Sequence, residues 1–553
     1  MAAQVKITFL GGLGEIGRNC ATIEQDGQAV LIDCGLMFPT IDTPGVDLIL
    51  PDFTYLRELG EKVVGCVLTH GHEDHTGGLS YLLRDLRFPI YGSELTLGLA
   101  RNRIEEAGLL DRCSFEVVKD LERRRIGPFE VEFIPVTHSV PDSFALVFRT
   151  AQGVVMHSGD FKIDLTPVDS RVTDLSRIGA IAQNEGIRLL LGDSTNAEEA
   201  GHSESERVVG DALIEIFTKH RAGRIVVACF ASHIHRIQQI ADVAKMFDRK
   251  VFTLGRSMGK NVTLARKLGL LDISDDMIAD IDEASKFPPE RVCVISTGSQ
   301  GEPLSALSLM AVGQNKRIDI GVGDLVVLSA DAIPGNETAV GKVIDGLYRR
   351  GAKVVHPGNA KVHTSGHAKR DELRTLQAIA KPKAFVPVHG EYRHLYNHSK
   401  IAIEMGVDHD NVLLAQDGDS VILSESGIDF GEVVPAGYLY VDGIVGDVSH
   451  GMLRDRKVLS EEGVVVIFAA VDVSNNEVAV GPEIATKGFV PVDEKAELLE
   501  EIADLAREVL EKALAKDNFD KDSLARDLRS AVGKLISRQV RRKPMIVPIV
   551  TEV

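Results

Sequence analysis

The chain has 553 residues, too many for one hydrophobic core, so we expect about two to four domains. Hydrophobic residues make up 44% of it, and no stretch approaches the ~18 consecutive apolar residues of a membrane span, so a membrane protein is not expected. The net charge of -19 does not favour nucleic-acid binding, although a local positive groove or bound metal ions would still allow it.

The N-terminal segment and the cysteines bear on cellular location. MAAQVKITFLGG lacks the basic start, long apolar stretch and cleavage site of a signal peptide, so we expect no export. The 6 cysteines form no C-x-x-C pair, which predicts neither a disulfide framework nor a thiolate zinc site. A cytoplasmic protein fits both observations best.

The pattern of apolar runs changes along the chain and divides it. Residues 1–207 alternate short apolar runs such as VKITFL and AVLIDCG with glycine-rich or charged breaks, as strands with functional loops do. Residues 208–355 alternate helical patterns with buried-type strands such as RIVVACF, which predicts an inserted parallel α/β domain. The first pattern returns at 356–448, so this segment is expected to complete the opening domain.

One glycine motif near the N-terminus imitates a nucleotide-binding fingerprint. Gly12, Gly14 and Gly17 follow the strand VKITFL, but no helix with an acidic residue about 20 positions later comes after them. RNCATIEQDGQAVLID instead predicts two strands joined at Asp26 and Gly27. We therefore interpret the glycines as turn formers near the active site.

The last part of the chain predicts a linker at 449–460 and a small α/β domain at 461–553. A strand, GVVVIFAAVDV, precedes a helix that opens near residues 491–493, and a second helix from about Asp522 to Arg538 precedes the strand MIVPIV. One side of the first helix carries its apolar residues, namely Leu498, Ile502, Leu505, Val509 and Leu510. The basic stretch RQVRRKP is read as a solvated helix end, with RNA contact as the alternative.

The segment VVGCVLTHGHEDHTGG carries the strongest chemical signal in the chain. An apolar strand ends there and is followed within six residues by metal-binding side chains, namely His70, His72, Asp74 and His75. Imidazole and carboxylate are ligands that divalent metals such as zinc prefer, and a loop lets alternate side chains converge on one cavity. This density of ligands predicts a metal site.

Other apolar strands end in the same way and extend the ligand set. His138 follows VEFIPVT, Asp160 ends GVVMHSGD, and His389 follows KAFVPV, whereas His157 is a nearby histidine outside the set. Seven ligands suit two metals: His70, His72 and His138 on one, Asp74, His75 and His389 on the other, with Asp160 bridging. Asp33 ends another strand and is expected to orient a ligand imidazole from behind.

Asp33, H-x-H-x-D-H, His138 and Asp160 together resemble the signature of the metallo-β-lactamase superfamily, whose fold is an αββα sandwich with two metals at the edge of its sheets. That signature alone leaves lactamases, glyoxalases, lactonases and nucleases open. DSTNAE with Asp193, HTSGH with His367, and VHGEYRHL with His389 are similar to the three motifs of its nucleic-acid-specific β-CASP branch. The resemblance thus implies an αββα domain, an inserted β-CASP α/β domain and a small C-terminal α/β domain.

Further motifs extend the resemblance over nearly the full length. GGLGEIGRN, HGHEDHTGG, HSGDFKID, GRSM, STGSQGEP, PGNE and RKPMIVPIVTEV are similar to the ribonuclease J family within that branch. The resemblance implies 5'-to-3' exoribonuclease and endoribonuclease activity in RNA maturation and decay, and a homodimer or homotetramer. The segment FASHIHRIQQ departs from the family at His233, where asparagine is expected, which puts local substrate contacts in doubt.

The chemistry expected of such a site is hydrolysis of a phosphodiester by a hydroxide held between two zinc ions, with manganese as a substitute. Asp74 is expected to orient that hydroxide as well as bind metal. His367 is the candidate general acid for the leaving 3'-oxygen, with a surface histidine as the plain alternative. The loop His363, Thr364, Ser365, Gly366 and His367 is expected to form a phosphate cradle.

Three further expectations concern residues outside these motifs or roles not yet assigned. Asp193 contacts a ligand histidine or caps the turn that follows it, and both interpretations stay open. Ser232, Arg256 and Ser257 follow strands of the insert and are expected to bind a 5'-monophosphate, although Arg256 suits an ordinary surface salt bridge equally well. The resemblance also implies a structural calcium ion held by Asp47 and Asp442.

These motifs predict a two-zinc ribonuclease that acts on single-stranded RNA with a 5'-monophosphate. Two rival functions share part of the pattern. A lactonase would need the metal loop but neither the HTSGH cradle nor the insert, and a metal-stabilised RNA-binding scaffold would need no general acid. Hydrolysis of labelled RNA compared with a panel of lactones separates the three.

Overall fold

The computed structural model describes residues 4–39, 42–302, 304–443, 446–490, 496–516 and 519–553. The chain divides into two compact units. The first consists of Met1–Phe38 with Ile49–Leu439, and the second of Pro39–Leu48 with Tyr440–Val553. The finer boundaries at residues 207, 355 and 448 stay predictions.

Two sheets of the first unit form its catalytic part. In spatial order, the strands of the first sheet are β23 (Gly427–Phe430), β22 (Ser420–Ser424), β1 (Val5–Gly11), β3 (Cys20–Gln25), β4 (Gln28–Ile32), β6 (Val63–Val67), β7 (Ile90–Gly92) and β8 (Phe115–Val117). Those of the second are β20 (Ala384–Val388), β13 (Ile187–Asp193), β12 (Gly153–His157), β11 (Ser143–Thr150), β10 (Phe129–Val136) and β9 (Arg123–Ile126). Strands β20 and β22, from beyond the insert, complete both sheets.

Alternation along the strands puts the two sheets face to face. In β10, Phe129, Val131 and Phe133 lie in a core shared with residues of β1 and β3, while Ile134 and Val136 lie in a core on the other face. That outer core includes residues of helices α5 (Leu175–Asn184), α11 (Arg370–Ala380) and α12 (Tyr392–Glu404). On the first sheet, α4 (Glu94–Glu106) contacts β7 and β8. The expected αββα sandwich is confirmed.

A third sheet forms the insert, and all its strand pairs are parallel. Its strands, in spatial order, are β16 (Ile278–Asp280), β15 (Lys250–Leu254), β17 (Val292–Ser296), β14 (Ile225–Ala228), β18 (Leu325–Leu328) and β19 (Lys353–Val355). Helices α6 (Arg207–Lys219), α7 (Ile234–Met246) and α8 (Arg256–Lys267) cover one face, and α9 (Ala306–Ala311) and α10 (Glu337–Arg349) cover the other. The parallel α/β insert is therefore confirmed.

The glycine motif after β1 forms turns, as expected, and no helix follows it. Strand β1 ends at Gly11, and the chain continues through β2 (Leu13–Gly14) into β3. Asp26 and Gly27 have φ angles of 52° and 76°, which suit a tight hairpin between β3 and β4. Strand β2 pairs with β21 (Gly390–Glu391), directly after His389, so the glycine segment lies beside the candidate site.

The second unit contains the C-terminal sheet and its helices. Strand β26 (Val464–Asp472) pairs antiparallel with β27 (Glu477–Lys487) and parallel with β28 (Met545–Glu552). The core includes Leu498, Ile502 and Leu510 of α14 (Ala496–Leu514) and residues of α15 (Lys521–Val540), while Leu505 and Val509 are partly buried. The start expected for α14, near residues 491–493, lies outside the described residues. Instead of an irregular linker, α13 spans His450–Glu461.

The remaining elements are short: α1 (Thr54–Leu59), α2 (Glu73–Thr76), α3 (Leu79–Leu82), β5 (Leu48–Pro51), β24 (Tyr438–Asp442) and β25 (Gly446–Val448). No helix in the described ranges is both long and apolar enough to cross a membrane.

A buried ion pair joins the insert to the segment that leads into HTSGH. Arg236 of α7 is 0% exposed, and its guanidinium pairs through two nitrogens with the carboxylate of Glu206. Its Nη1 also donates to the carbonyl oxygens of Ser329 at 2.8 Å and Val362 at 2.9 Å. Because the fork of the guanidinium is occupied on both sides, Arg236 fixes the backbone one residue before His363.

Replacing Glu206 by alanine is expected to lower the free energy of unfolding by about 3 to 5 kcal/mol, because the guanidinium of Arg236 would stay buried without its counter-charge. Urea titration followed by circular dichroism measures the loss. Glu215→Ala is the control, since Glu215 makes an exposed ion pair with Lys219 on α6 and its loss should change little. Equal effects of the two substitutions would contradict this prediction.

Candidate metal centre

The candidate ligands converge because their strands end at one edge of the sandwich. His138, Asp160 and His389 follow β10, β12 and β20, which run in the same direction in the second sheet. The segment that carries His70 follows β6, which runs parallel to β4 in the first sheet. Parallel strands place their carboxyl ends together, so residues far apart in the chain meet at one place.

Three histidines form the first half of the site. Nδ1 of His72 lies 3.0 Å from Nε2 of His70 and 3.2 Å from Nε2 of His138. His70 and His138 are buried, at 0% and 3% exposure. With Asp160, their ligand atoms all lie within 4.8 Å of one another, close enough to hold one metal ion.

The carboxylate of Asp160 lies at the centre of the cluster. Its Oδ2 is close to four ligand imidazoles, at 3.5 Å from His70 Nε2, 3.3 Å from His75 Nε2, 3.7 Å from His138 Nε2 and 3.7 Å from His389 Nε2. Asp74 Oδ2 lies 3.6 Å from His75 Nε2 and 3.4 Å from His389 Nε2, which forms a second group. These two groups match the sets expected from the sequence, and a third possible group combines Asp160 and His389 with Asp193 and His367.

Hydrogen bonds from behind aim the ligand nitrogens into the cavity. Asp33 accepts from His75 Nδ1 at 2.7 Å and from the backbone N–H of Thr69 at 2.8 Å, so Nε2 of His75 is turned toward Asp160. His138 Nδ1 donates to the carbonyl oxygen of Gly366 at 2.8 Å. Such contacts fix the tautomer and the ring plane of a metal ligand. Asp33 thus takes the supporting position expected for it.

Thr195 is a supporting residue that the sequence did not single out. Its hydroxyl lies 2.6 Å from Nδ1 of His389 and donates to Oδ1 of Asp193 at 2.9 Å. The position of Thr195 in DSTNAE, two residues after Asp193, was the available signal, but a hydroxyl gives no motif of its own. Asn19 and Thr69 are two further neighbours of the ligands that were missed.

Burial keeps the first three imidazoles neutral. It lowers the pKa of His72 to about 4, and it lowers the pKa values of His70 and His138 well below their usual range. Neutral imidazole is the form that binds metal, so this half of the cluster is in a ligand state at neutral pH.

In the other half of the cluster, nearby carboxylates raise the pKa values of the imidazoles. Burial opposes the charged form of His75, but Asp160, Asp74 and Asp33 outweigh it and raise the pKa of His75. The pKa of His389 is raised against burial by Asp160 and Asp74. The carboxylates around these two rings therefore leave an excess of negative charge, and a divalent cation would neutralise it.

His367 lies over the cluster and pairs with Asp193. Its Nδ1 is 2.8 Å from Asp193 Oδ2, and its Nε2 is 3.9 Å from Asp160 Oδ2. Burial opposes the charged ring, but Asp193 and then Asp160 raise the pKa of His367 to about 9. Asp193 also accepts from the backbone N–H of Thr195 at 3.0 Å, so it caps the turn as well. Its nearest imidazole is that of His367, and its Oδ1 also lies 3.8 Å from Nδ1 of the candidate ligand His389, so both contacts considered from the sequence are present.

The HTSGH loop borders a cavity next to His138. Thr364, Ser365 and Gly366 line it together with the largely buried cation Lys162 and with His233. Part of the loop's hydrogen-bonding capacity is used internally, because the backbone N–H of His367 donates to Ser365 Oγ at 3.1 Å and Thr364 Oγ1 donates to the carbonyl of Glu204.

The other predicted phosphate contacts lie elsewhere on the insert. Arg256 and Ser257 are exposed at the start of α8. Neither they nor Ser232 line the HTSGH cavity or a second cavity, which is lined by Asp33, His75 and Asp160 among others. The pKa of Glu106 on α4 is lowered mainly by its bond to Lys260, with a smaller effect of Arg256. Arg256 therefore lies near an acidic partner on the surface.

In the second unit, Asp442 pairs with an arginine. Nη2 of Arg456 donates to Asp442 Oδ2 at 2.7 Å, and its Nη1 donates to the carbonyl of Gly45 at 2.7 Å. Asp47 accepts the backbone N–H of Gly443 at 2.7 Å. A guanidinium thus supplies the positive charge beside the carboxylate for which calcium was expected.

Family models cover most of the chain. Residues 13–185 match "Metallo-beta-lactamase superfamily", residues 222–347 "Ribonuclease J, beta-CASP domain", residues 354–412 "Zn-dependent metallo-hydrolase RNA specificity domain", and residues 451–553 "Ribonuclease J C-terminal domain". Fold and site together define a metal-dependent hydrolase of the metallo-β-lactamase superfamily.

Proteins of similar sequence identify the family within this class. The chain is 41% identical to Ribonuclease J of Mycolicibacterium smegmatis, with 99% of this chain and 97% of that protein covered. It is 37% identical to Ribonuclease J2 of Bacillus subtilis strain 168, with 99% of each covered, and 36% identical to Ribonuclease J 2 of Staphylococcus aureus strain MRSA252, with 99% and 98% covered. The chain belongs to the ribonuclease J family.

A solved structure shares the fold. The crystal structure of a protein of unknown function from Enterococcus faecalis V583 matches with a TM-score of 0.51 at 16% identity, covering 76% of this chain and all of that one. At this identity the likeness concerns the fold alone.

Proposed function

We propose that the protein is a two-zinc ribonuclease that degrades single-stranded RNA from a 5'-monophosphate end and also cuts internally, in RNA maturation and decay. The observation that carries the proposal is the position of Asp160, whose Oδ2 lies within 3.7 Å of imidazoles from both ligand groups. His367 lies on the same cluster as a candidate proton donor. A binding scaffold would have no use for that histidine.

The donor set favours zinc. Five imidazoles and two carboxylates that converge within one cluster suit a borderline cation better than magnesium, and manganese is the expected substitute. When bound, two such ions supply Lewis acidity for phosphodiester hydrolysis and neutralise charge on the scissile phosphate. His70, His72 and His138 would hold one ion.

Asp74, His75 and His389 would hold the other ion, with Asp160 shared. Asp74 keeps a carboxylate at the open side of the site, where its side chain is 29% exposed. There it would orient the attacking water as well as bind metal. The pKa of Asp74 is lowered, against burial, chiefly by His75 and His389, so it accepts hydrogen bonds at neutral pH.

His367 would protonate the leaving 3'-oxygen. Its Nδ1 is tied to Asp193, which leaves Nε2 as the atom that faces the cluster. Asp193 both raises the pKa of the ring and fixes its plane, so the proton is held at neutral pH and aimed at the reacting group. His363 is partly buried, and this burial lowers its pKa to about 3, which makes it a poor alternative acid.

The cavity beside HTSGH is where a 5'-monophosphate would bind. Lys162 supplies a buried positive charge there, and the backbone of Gly366 lies against His138, where an added Cβ would meet Cε1 at 2.7 Å. The loop can therefore approach the metal ligands only with glycine at this position. A phosphate held there would place a nearby phosphodiester over the ligand cluster.

Three other assignments stand as proposals. The protein would form a homodimer or homotetramer. It would work in the cytoplasm, and the 6 free cysteines support that location because thiols stay reduced there. The third is a structural calcium ion at Asp47 and Asp442, which would have to displace Arg456 from Asp442.

RNA with a 5'-monophosphate should be degraded from that end about ten- to a hundredfold faster than the same RNA with a 5'-triphosphate, which should mostly suffer slower internal cuts. Charge-assisted hydrogen bonds to the smaller group, worth about 1.5 to 3 kcal/mol, set this scale. End-labelled substrates resolved on gels measure both modes. Equal exonucleolytic rates on the two ends, or hydrolysis of lactones in place of RNA, would contradict the proposal.

Two substitutions on α8 test the contribution of the insert to this preference. Arg256 does not line the cavity beside HTSGH, so it can contribute only if the RNA also contacts α8; in that case Arg256→Ala should reduce the preference for the 5'-monophosphate and leave internal cleavage nearly intact. Lys260→Ala is the matched control, because Lys260 lies one turn further along α8 and pairs with Glu106. If both variants keep the full preference, Arg256 is no part of the pocket, and Lys162 becomes the cation to test.

A further inference from the structure

The glycine-rich segment GGLGEIGRN, residues 11–19, lies directly behind the turn that carries Asp74 and His75. The backbone N–H of Asn19 donates to the carbonyl of Asp74 at 2.9 Å, and the carbonyl of Asn19 accepts from Gly35 at 2.9 Å. The backbone N–H of Cys34 in turn donates to the carbonyl of His75 at 2.7 Å. Three chain segments are thus interwoven behind one half of the metal centre.

The side chain of Asn19 reaches the same two ligands. Its Nδ2 lies 3.2 Å from the carbonyl oxygen of Asp74, 3.5 Å from Asp74 Oδ2 and 3.1 Å from His75 Nε2. Gly12 makes room for this amide, since a Cβ at residue 12 would meet Asn19 Oδ1 at 2.4 Å. The glycine therefore serves the approach of Asn19 to the ligands.

Arg18 holds the backbone that presents Asn19. Its φ of 53° is left-handed, a conformation that non-glycine residues keep only when their surroundings impose it. The side chain is 1% exposed, and its guanidinium donates to Glu15 at 2.7 Å and to Asp417 at 2.9 Å. It also stacks on the ring of Tyr438, 4.2 Å from the ring centre.

Further contacts tie this anchor to the glycine segment. Asp417 accepts the backbone N–H of Leu13 at 3.0 Å through its other oxygen, Oδ1, while Oδ2 takes the guanidinium of Arg18. One carboxylate therefore holds both ends of the segment. The backbone at Arg18 cannot relax without breaking these contacts together.

We infer that Arg18 and Asn19 are positioning residues for the Asp74–His75 half of the metal centre and set the affinity of that half for its metal ion. The inference rests on the proposed two-metal function. Asn19 contacts two of the three ligands of one half, and its bond to the Asp74 carbonyl would remain when an ion binds Nε2 of His75. The other half is oriented by different groups, such as the carbonyl of Gly366 behind His138. The effect should therefore be confined to one of the two ions.

The test is a zinc titration of Asn19→Ala against a competing chelator, with the thermal midpoint measured alongside. The variant should bind its first zinc as the unmodified protein does and its second about ten- to a hundredfold more weakly, the usual scale for groups that support metal ligands. Excess zinc should restore RNA cleavage. Asn397→Ala, on the exposed face of α12, is the matched control and should bind both ions normally.

A second variant keeps the inference testable if Asn19→Ala folds poorly. Asp417→Asn preserves the shape and the bond to Leu13 but removes one of the two counter-charges of Arg18, so it should weaken binding of the second zinc in the same direction. Normal binding of both ions by folded Asn19→Ala and Asp417→Asn would overturn the inference. Binding of a single zinc by the unmodified protein would instead overturn the two-metal proposal.

Discussion

The variant His75→Ala is expected to lose one of two zinc ions and to cleave RNA about a thousandfold more slowly or worse. The ring of His75 faces Asp160 and Asp74 through Nε2, and Asp33 fixes it from behind, so no neighbouring group can replace it. Losing several kcal/mol of charge stabilisation in the transition state gives a factor of this size. Elemental analysis and single-turnover cleavage measure the two effects.

His157→Ala is the matched control for this prediction. His157 is a neighbouring histidine that lines the same cavity, and burial lowers its pKa to about 4, but it belongs to none of the three groups that could hold an ion. The control should keep both ions and most of the activity. One metal or none in the active, unmodified enzyme would rule out the binuclear assignment, as would unchanged metal content in His75→Ala.

The variant His367→Ala is expected to keep both metals and the fold, yet to lose about a hundredfold or more in the chemical step. That is the usual scale for removal of a general acid. Cleavage at saturating RNA in a single turnover isolates this step from binding and product release. An unchanged rate constant would remove His367 from the mechanism, and loss of a metal ion would make it a ligand.

The pH profile of Asp193→Asn provides a complementary measurement. A general acid works only while protonated, so the rate should fall as pH rises through the pKa of His367. Among the groups that raise this pKa, Asp193 has the largest effect. The substitution should therefore move the alkaline fall in rate to lower pH, and a profile that does not move would separate Asp193 from the acid.

The candidate metal ligands could be named from the sequence because they lie in segments that follow apolar strands. His70, His138 and His389 needed no knowledge of packing, since strands of one direction bring their carboxyl ends together. The αββα sandwich was expected through the family resemblance, and the alternation of β10 between two cores agrees with it. The general acid was predictable only through its motif, because nothing local to His367 shows that Asp193, 174 positions earlier, is its partner.

What was missed depends on contacts that no local pattern encodes. Thr195 orients His389 through a hydroxyl, and Asn19 reaches Asp74 across 55 positions, yet threonine and asparagine occur in many unrelated turns. Arg456 pairs with Asp442 because α13 continues through the segment expected to be a linker. Each depends on where a distant segment packs, which one chain's residue pattern does not reveal.

Strands β20 and β22 of the two sheets lie beyond the insert in the chain, and this order has a consequence for biosynthesis. Strand β20 pairs with β13 across nearly 200 residues, and β22 closes the first sheet beside the opening strand β1. On the ribosome, His389 can reach the other ligands only after the whole inserted domain has been translated and set aside. The nascent polypeptide therefore lacks a complete set of candidate metal ligands until His389 has been translated, so the site that would cleave RNA can form only in the last part of synthesis.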